Sequence, residues 1–392
     1  MSSQLFDSIE RTDTNPRYNA EPVSAYLNRS ASPEEARIRE LIEGWMCHYP
    51  GMDTADILSR LRSKDDSQFL SAFFELYVFT LLRCLGYGIQ VHPDLPMADG
   101  RRPDFPVRKA NTQDFIVEVV WVTDKSDEAM AAEKRANVVY ESINKLECTD
   151  FFLAIRIEGA PGTPPPGRRL RDQLSRWLHT LDYEQVSEQF EVGGFERVPK
   201  HAFCHDGWNI TFFPIPKSAE HRGSPTVRPL GMYMHEARWV DSKTPIREAV
   251  VGKGKRYGEL HKPYVIAVNA DVFHLDDDDV VQALFGTRSI VIPDHRNPAL
   301  KPYERRNPDG AWTALSGARY KRVSAVLMAD SITPWNVASH DLRLFHNPWA
   351  KLPCTDVLSA LPQATLKGNL ISFDSGLHPR EVFGLPEHWP QD

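Results

Sequence analysis

The chain has 392 residues with 46 basic and 53 acidic side chains, a formal net charge of -7. This is an ordinary globular profile with no global pull toward polyanions. Its 19 Phe, 9 Trp and 12 Tyr are too much aromatic surface to leave solvated, which excludes disorder as the main state. The 30 prolines argue against a mostly helical bundle. No run of about 18 apolar residues occurs, so no membrane span is expected. The polar segment 1–7 has neither the basic nor the apolar region of a signal peptide, and a cytoplasmic location is expected. Cys47, Cys84, Cys148, Cys204 and Cys354 are scattered and never form CxxC, which reads as reduced thiols rather than a disulfide framework or a zinc site.

Taken in chain order, residues 1–32 are polar and lack apolar periodicity, and read as a loosely ordered arm. Ser32-Pro33-Glu34-Glu35 is a helix start, with a cap, a first-turn proline and acids at the positive dipole end. Ile38, Leu41, Ile42 and Trp45 share a face of that helix. A second helix is predicted over 53–61. The strongest helix begins at Asp66-Ser67 and ends at Gly86, with a wide apolar stripe from Phe69 to Leu85 and Glu75 in its middle. The period then drops toward 2, which predicts strands over 87–92, 104–108 and 115–122, with turns at 95–102 and 111–113. Phe115-Ile-Val-Glu-Val-Val-Trp-Val122 is nearly all apolar, as expected of a central strand buried on both faces. A helix over 127–146 and a strand over 151–157 complete an α-β-β-β-α-β order.

Beyond the Pro/Gly break at 159–167, the pattern predicts an amphipathic helix over 168–183 and strands over 190–197 and 208–214. An exposed loop at 217–230 precedes a second α-β unit at 244–260 and 263–269. Strands over 322–329 and 342–346 follow, then a Pro-rich coil through Pro390. The fold class is α/β (α+β), a mixed sheet flanked by helices. Three regions are expected: an N-terminal arm and helices over 1–66, a core over 67–158, and a C-terminal α/β extension over 159–392 that either continues the same sheet or stands apart.

Three acidic residues stand out by placement. Glu75 lies on a buried helical stripe, where an unpaired carboxylate is costly. Asp104 follows Pro103 at a strand start. Glu118 interrupts an otherwise apolar strand, so it must be paired, protonated or metal-bound. Hairpin geometry can set the start of one strand beside the centre of the next, which lets Asp104 and Glu118 converge on one divalent ion. Two oxygen ligands with waters and a phosphate make a magnesium site suited to phosphodiester hydrolysis.

Arg102-Pro-Asp-Phe105 and Phe115-Ile-Val-Glu-Val-Val120, preceded by a helix with Phe74-Glu-Leu76, resemble the PD-(D/E)XK restriction-endonuclease-like superfamily. The resemblance covers roughly a quarter of the chain and its motif is short. It implies a restriction-endonuclease-like fold, Asp104 and Glu118 as ligands of Mg2+ (or Mn2+), and Glu75 as an accessory carboxylate. It also implies nuclease action on nucleic acid, DNA first, in a setting such as restriction or phage defence. The superfamily's lysine falls two positions after the second acid, where this chain has Val120. Lysine there orients or deprotonates the attacking water. Either the lysine has migrated, with Lys134, Lys253 and Lys255 as candidates, or the module is catalytically inactive and binds nucleic acid or a protein. A structural α/β protein is the third reading. No membrane partner is expected, and a homo-oligomer is compatible with the sequence.

Weaker signals read blandly. His201-Ala-Phe-Cys-His205 has no partner pair at zinc spacing and reads as a loop. Asp276–Asp279 reads as acids at a helix start. The basic groups Arg168, Arg169, Arg171 and Arg176, and Lys253, Lys255, Arg256 and Lys262 with Tyr257, are either solvated helix faces or phosphate contacts. No P-loop, GxGxxG, GxSxG or HExxH is present.

Overall fold

The structure, a computed structural model, describes residues 4–51, 54–93, 102–223, 228–235, 241–293, 301–367 and 370–391. The chain forms two units. The first comprises residues 1–16, 22–124 and 240–392, and the second comprises 17–21 and 125–239. The second is therefore an insertion in the sequence of the first, and its boundaries differ from the expected three-part division.

The first unit opens with helices α1 (Val23–Arg29), α2 (Pro33–Met46), α3 (Thr54–Leu61) and α4 (Asp66–Cys84). The N-terminal stretch expected to be a loose arm is tied down: Leu5, Phe6, Val23 and Leu27 are buried, and the Leu5 and Phe6 amides donate to Glu43 Oε1 at 2.8 and 2.9 Å. Asp65 caps α4 by accepting from the Ser67 amide. At its far end Gly86 takes φ 82°. The Gly86 and Tyr87 amides reach back to the Arg83 and Leu82 carbonyls, the Schellman closure that favours glycine. Strands β1 (Gly88–Ile89), β2 (Phe105–Arg108) and β3 (Phe115–Thr123) follow. The first is shorter than the expected 87–92, and most of the turn expected at 95–102 lies outside the described residues.

The second unit holds α5 (Asp127–Ile143), β4 (Phe151–Glu158), α6 (Gly167–Leu178), α7 (Tyr183–Gly193), β5 (His201–His205), β6 (Trp208–Pro216) and β7 (Leu230–His235). Its four strands form their own sheet in the order β5-β6-β4-β7. Leu153, Ile155 and Ile157 pack against Val139, Tyr140 and Ile143 of α5 and Leu170 and Leu174 of α6. Ala154 and Phe213 face Val186 of α7 on the other side. This corrects the expected core over 67–158, because strand 151–158 does not join the sheet that holds 115–123. Residues 190–197 are not a strand: Asp182 caps a helix that runs through Phe190, and a 3-10 turn at Gly194–Glu196 follows. The His201–His205 segment is a strand and not a loop.

The chain returns to the first unit with α8 (Lys243–Gly254), β8 (Tyr264–Asp271), α9 (Asp277–Phe285), β9 (Arg288–Val291) and β10 (Tyr303–Arg306). Then come β11 (Thr313–Ala314), β12 (Gly317–Ala318), β13 (Ala325–Asp330), β14 (Leu342–His346), β15 (Gln363–Lys367), β16 (Leu370–Asp374) and α10 (Pro379–Phe383). The tail expected to be coil thus adds two strands and a helix. An eight-stranded mixed sheet runs β1-β2-β3-β8-β13-β14-β15-β16. Its centre is parallel, with β8 between β3 and β13. That position requires burial on both faces, and Tyr-Val-Ile-Ala-Val-Asn-Ala270 is buried throughout. The order α-β-β-β-α-β is therefore made by α4, β1, β2, β3, α8 and β8.

Side chains alternate across this sheet. Val117, Val119, Val265, Ala267, Ala325 and Leu327 pack under α2 and α4. Ile116, Tyr264, Ile266, Val268, Val326 and Phe345 pack under α8 and α9 with Ile246, Val250 and Leu284. Glu118, between Val117 and Val119, shares parity with Ile116 and so faces the α8 side. The helix ends at Gly254, earlier than the expected 260, where a Cβ would lie 3.1 Å from Tyr320 and 3.3 Å from Val323. A Cβ at Gly252 would meet nothing within 4 Å. Gly252→Ala is therefore expected to raise stability by about 0.5–1 kcal/mol, and Gly254→Ala to give no such gain, as read by urea unfolding.

Candidate functional site

The pairing of β2 with β3 sets the geometry of the acids. Phe105 lies opposite Val117 and Pro106 opposite Ile116, so the same register carries Asp104 to the level of Glu118. Asp104 Oδ2 accepts the Val119 amide at 2.7 Å. His92 Nε2 stands 3.6 Å from Oδ1, and the His92 amide donates to the Asp104 carbonyl at 3.0 Å. His92 reaches this place with φ 38°, a backbone conformation uncommon for a residue with a side chain.

Glu118 is 0% exposed. The stripe of α8 that carries Ile246 and Val250 continues to Lys253, whose Nζ donates to Glu118 Oε1 at 2.8 Å. Arg256 Nη1 donates to the same oxygen. Tyr257, itself buried, donates from its hydroxyl to Oε2 at 2.6 Å, and that hydroxyl lies 3.1 Å from the Arg102 carbonyl. Lys253 sits in the last turn of α8, where the dipole also favours cations, and Arg256 and Tyr257 follow just beyond the helix end, so all three reach one carboxylate.

The two acids respond in opposite directions. Burial penalises the Asp104 anion, but His92, the Lys253 charge and the Val119 amide outweigh it and hold the carboxyl below the usual aspartate range. For Glu118, burial and then the Asp104 charge outweigh Lys253 and Tyr257, and the carboxyl is pushed up. Two carboxylates with pKa values driven apart are a feature of functional sites, although structural ion-pair networks share it.

Glu75 belongs to a different cluster. Its carboxylate accepts from the Tyr49 hydroxyl at 2.7 Å and from Arg60 at 2.7 Å, so the buried charge in α4 is paired with its neighbours. Among the described residues no three His, Cys, Asp or Glu side chains are gathered to hold a metal. The structure thus brings together Asp104, Glu118 and Lys253, and engages Glu75 elsewhere. Lys255 is the exposed residue just beyond α8, and Lys134 lies exposed on α5 in the second unit. Arg256 and Tyr257 were legible only as members of a basic cluster. His92 carried no signal in the sequence.

The weaker motifs resolve structurally. His201 stacks on Trp177, and His205 Nε2 lies 3.1 Å from Thr163 Oγ1. Asp276 caps α9 by accepting the Asp279 amide at 2.8 Å. On α6, Arg168, Arg169 and Arg176 are exposed, with Asp172 between them. Among the described residues no helix is long and apolar enough to cross a membrane. Compared with known proteins, the chain matches no family model, no curated protein and no solved structure.

Two outcomes are expected. Glu75→Ala removes the acceptor shared by Arg60 and the Tyr49 hydroxyl, while Arg60 keeps its 2.9 Å contact to Asp56, and should cost about 2 kcal/mol in urea unfolding. Any activity of the Asp104–Glu118 site should survive where the variant remains folded. The second outcome concerns pH. Because the folded pKa of Glu118 lies above its ordinary 4.5, the unfolded chain ionises first, and the Glu118 contribution is fully present below 4.5 and declines as pH rises through the folded value. Asp104 acts oppositely: its contribution is present above 3.8 and is lost as pH falls through its lowered folded value. Urea unfolding across the acid range should show the first slope removed in Glu118→Gln and the second in Asp104→Asn.

Proposed function

We propose that this chain is a metal-dependent nuclease that hydrolyses phosphodiester bonds, DNA being the substrate class. The observation that carries the reading is the Lys253 amine at 2.8 Å from the buried Glu118 carboxylate beside Asp104. A lysine delivered by α8 supplies what Val120 cannot, and the resemblance to the PD-(D/E)XK superfamily is supported by α4, β1, β2, β3, α8 and β8 standing in its expected order.

Asp104 and Glu118, on adjacent strands, are the residues that would hold Mg2+ or Mn2+ together with water and phosphate oxygens. Such an ion, when bound, supplies Lewis-acid stabilisation of the phosphoryl oxygens and lowers the pKa of water. The chain's own residues do the rest. Asp104 stays ionised through His92 and the Val119 amide. Lys253 holds a water or a phosphate oxygen by charge. Tyr257 fixes the rotamer of Glu118 through Oε2.

A second reading has its own observation. Glu118 already receives two cations and a hydroxyl, which is how a buried carboxylate is neutralised in a module that only binds. Plasmid nicking separates the two. The nuclease reading expects nicking with Mg2+ or Mn2+, its loss with chelator, and a fall of at least about 100-fold in Asp104→Asn, Glu118→Gln and Lys253→Met. No nicking by the folded wild type with any divalent ion would leave the binding module.

A further inference from the structure

Just beyond Tyr257 the chain borders a cavity of about 480 Å3, whose polar lining is Glu259, Tyr320, Lys321, Arg322 and Lys351. Three cations thus share one cavity with a single carboxylate, in a chain whose formal net charge is -7. A local excess of positive charge against an acidic background is the lining expected around an anion.

Backbone contacts bring the cations together. Tyr320 takes φ 48°, a conformation uncommon for a residue with a side chain, and such outliers cluster at functional sites. The Val323 amide meets the Tyr320 carbonyl at 2.9 Å, so Lys321 and Arg322 form a tight turn. The Lys351 amide donates to the Lys321 carbonyl at 2.6 Å, which sets the two lysines on neighbouring backbone.

Arg322 is held at one corner only. Its Nη1 donates to the carbonyls of Tyr257 and Gly258, and among the described residues its side chain makes no other hydrogen bond or ion pair. The Nε–Nη2 edge keeps its N–H donors, and that edge matches two phosphate oxygens at once. Lys351 Nζ lies 3.6 Å from Glu259, with the two side chains 67% and 76% exposed. So open an ion pair contributes little, and an incoming anion can draw Lys351 away from it.

We propose that this cavity is a phosphate subsite, in which Lys321, Lys351 and the Nε–Nη2 edge of Arg322 take a phosphodiester of the nucleic-acid backbone other than the one that reacts. The inference rests on DNA being the substrate class, as proposed above. Such a contact reads no sequence but fixes where the duplex lies. Arg322 ties the subsite to Tyr257 through the Tyr257 carbonyl, and the Tyr257 hydroxyl is the one that donates to Glu118. A duplex seated on the subsite is thereby held in register with the Asp104–Glu118 site.

The test is fluorescence anisotropy of a labelled phosphorothioate DNA duplex, which resists cleavage, with the full chain over a range of salt, in chelator and in Mg2+. Lys321→Ala and Lys351→Ala, both changes at exposed side chains, should each weaken duplex binding by about 5-fold on every sequence and flatten the salt slope by about 1. Glu259→Gln removes the opposing charge and should tighten binding by about 3-fold. Lys64→Ala, which deletes an exposed charge of the same unit far from the cavity in sequence, should leave binding unchanged. Duplex binding that is equal in wild type, Lys321→Ala and Lys351→Ala, or that falls as much in Lys64→Ala, would overturn the subsite and leave the substrate reading standing. Calorimetric titration with inorganic phosphate separates a second source of the same chemistry. Phosphate binding lost in both lysine variants, with duplex binding untouched, would overturn the assignment to a nucleic-acid backbone. No duplex binding by the folded wild type at any salt would overturn the subsite and the DNA reading together.

Discussion

A carboxylate with no solvent exposure, set in the middle of an apolar strand, is the constraint around which the site is arranged. Glu118 cannot be left alone there, because an uncompensated buried charge costs several kcal/mol. The strand cannot solvate it, since its neighbours in register are Ile266 on β8 and, by extension of the β2 pairing, Asp104. Compensation must come from above the sheet, and α8 provides it. The helix packs on the parallel pair with Ile246 and Val250 down, and the same stripe ends in Lys253, with Arg256 just beyond the helix end. The apolar contacts that seat the helix also aim its charges.

Much of this was legible in the residues. A strand over 115–122 puts Glu118 on the face of Ile116 and Val120, and a short turn about Asn111, which takes φ 63°, leaves little freedom in the register that sets Asp104 beside it. The helix that closes the site was harder to choose. Segments 127–143 and 243–254 are both helical and each precedes an apolar run, so periodicity cannot say which run lies beside β3. Burial chemistry does distinguish them. Phe151–Glu158 carries Arg156 and Glu158, whereas Tyr264–Asp271 is uncharged until its last residue. Only the latter suits a position between two parallel neighbours.

Other features lay beyond one-dimensional reading. Glu75 looked unpaired because its partners, Tyr49 and Arg60, come from the chain before α4 and from α3, and nothing in their spacing announces a meeting. Phe190 and Val192, two residues apart, mimic a strand, while the structure spends them on a helix capped by Asp182. In the tail, prolines concealed two short strands that extend the sheet.

The placement of the second unit between β3 and α8 has a consequence for how the molecule is made. Glu118 and Lys253 are 135 residues apart in sequence. During synthesis β3 therefore emerges with one edge unpaired and a buried-type glutamate unneutralised, and it waits for the whole insertion before β8 can dock. Parallel pairing across so long a separation is slow to close, and an apolar strand edge left open is prone to pairing with another chain. The insertion's own sheet and core allow it to form in that interval, which shortens the effective loop from a long flexible chain to the span between its ends.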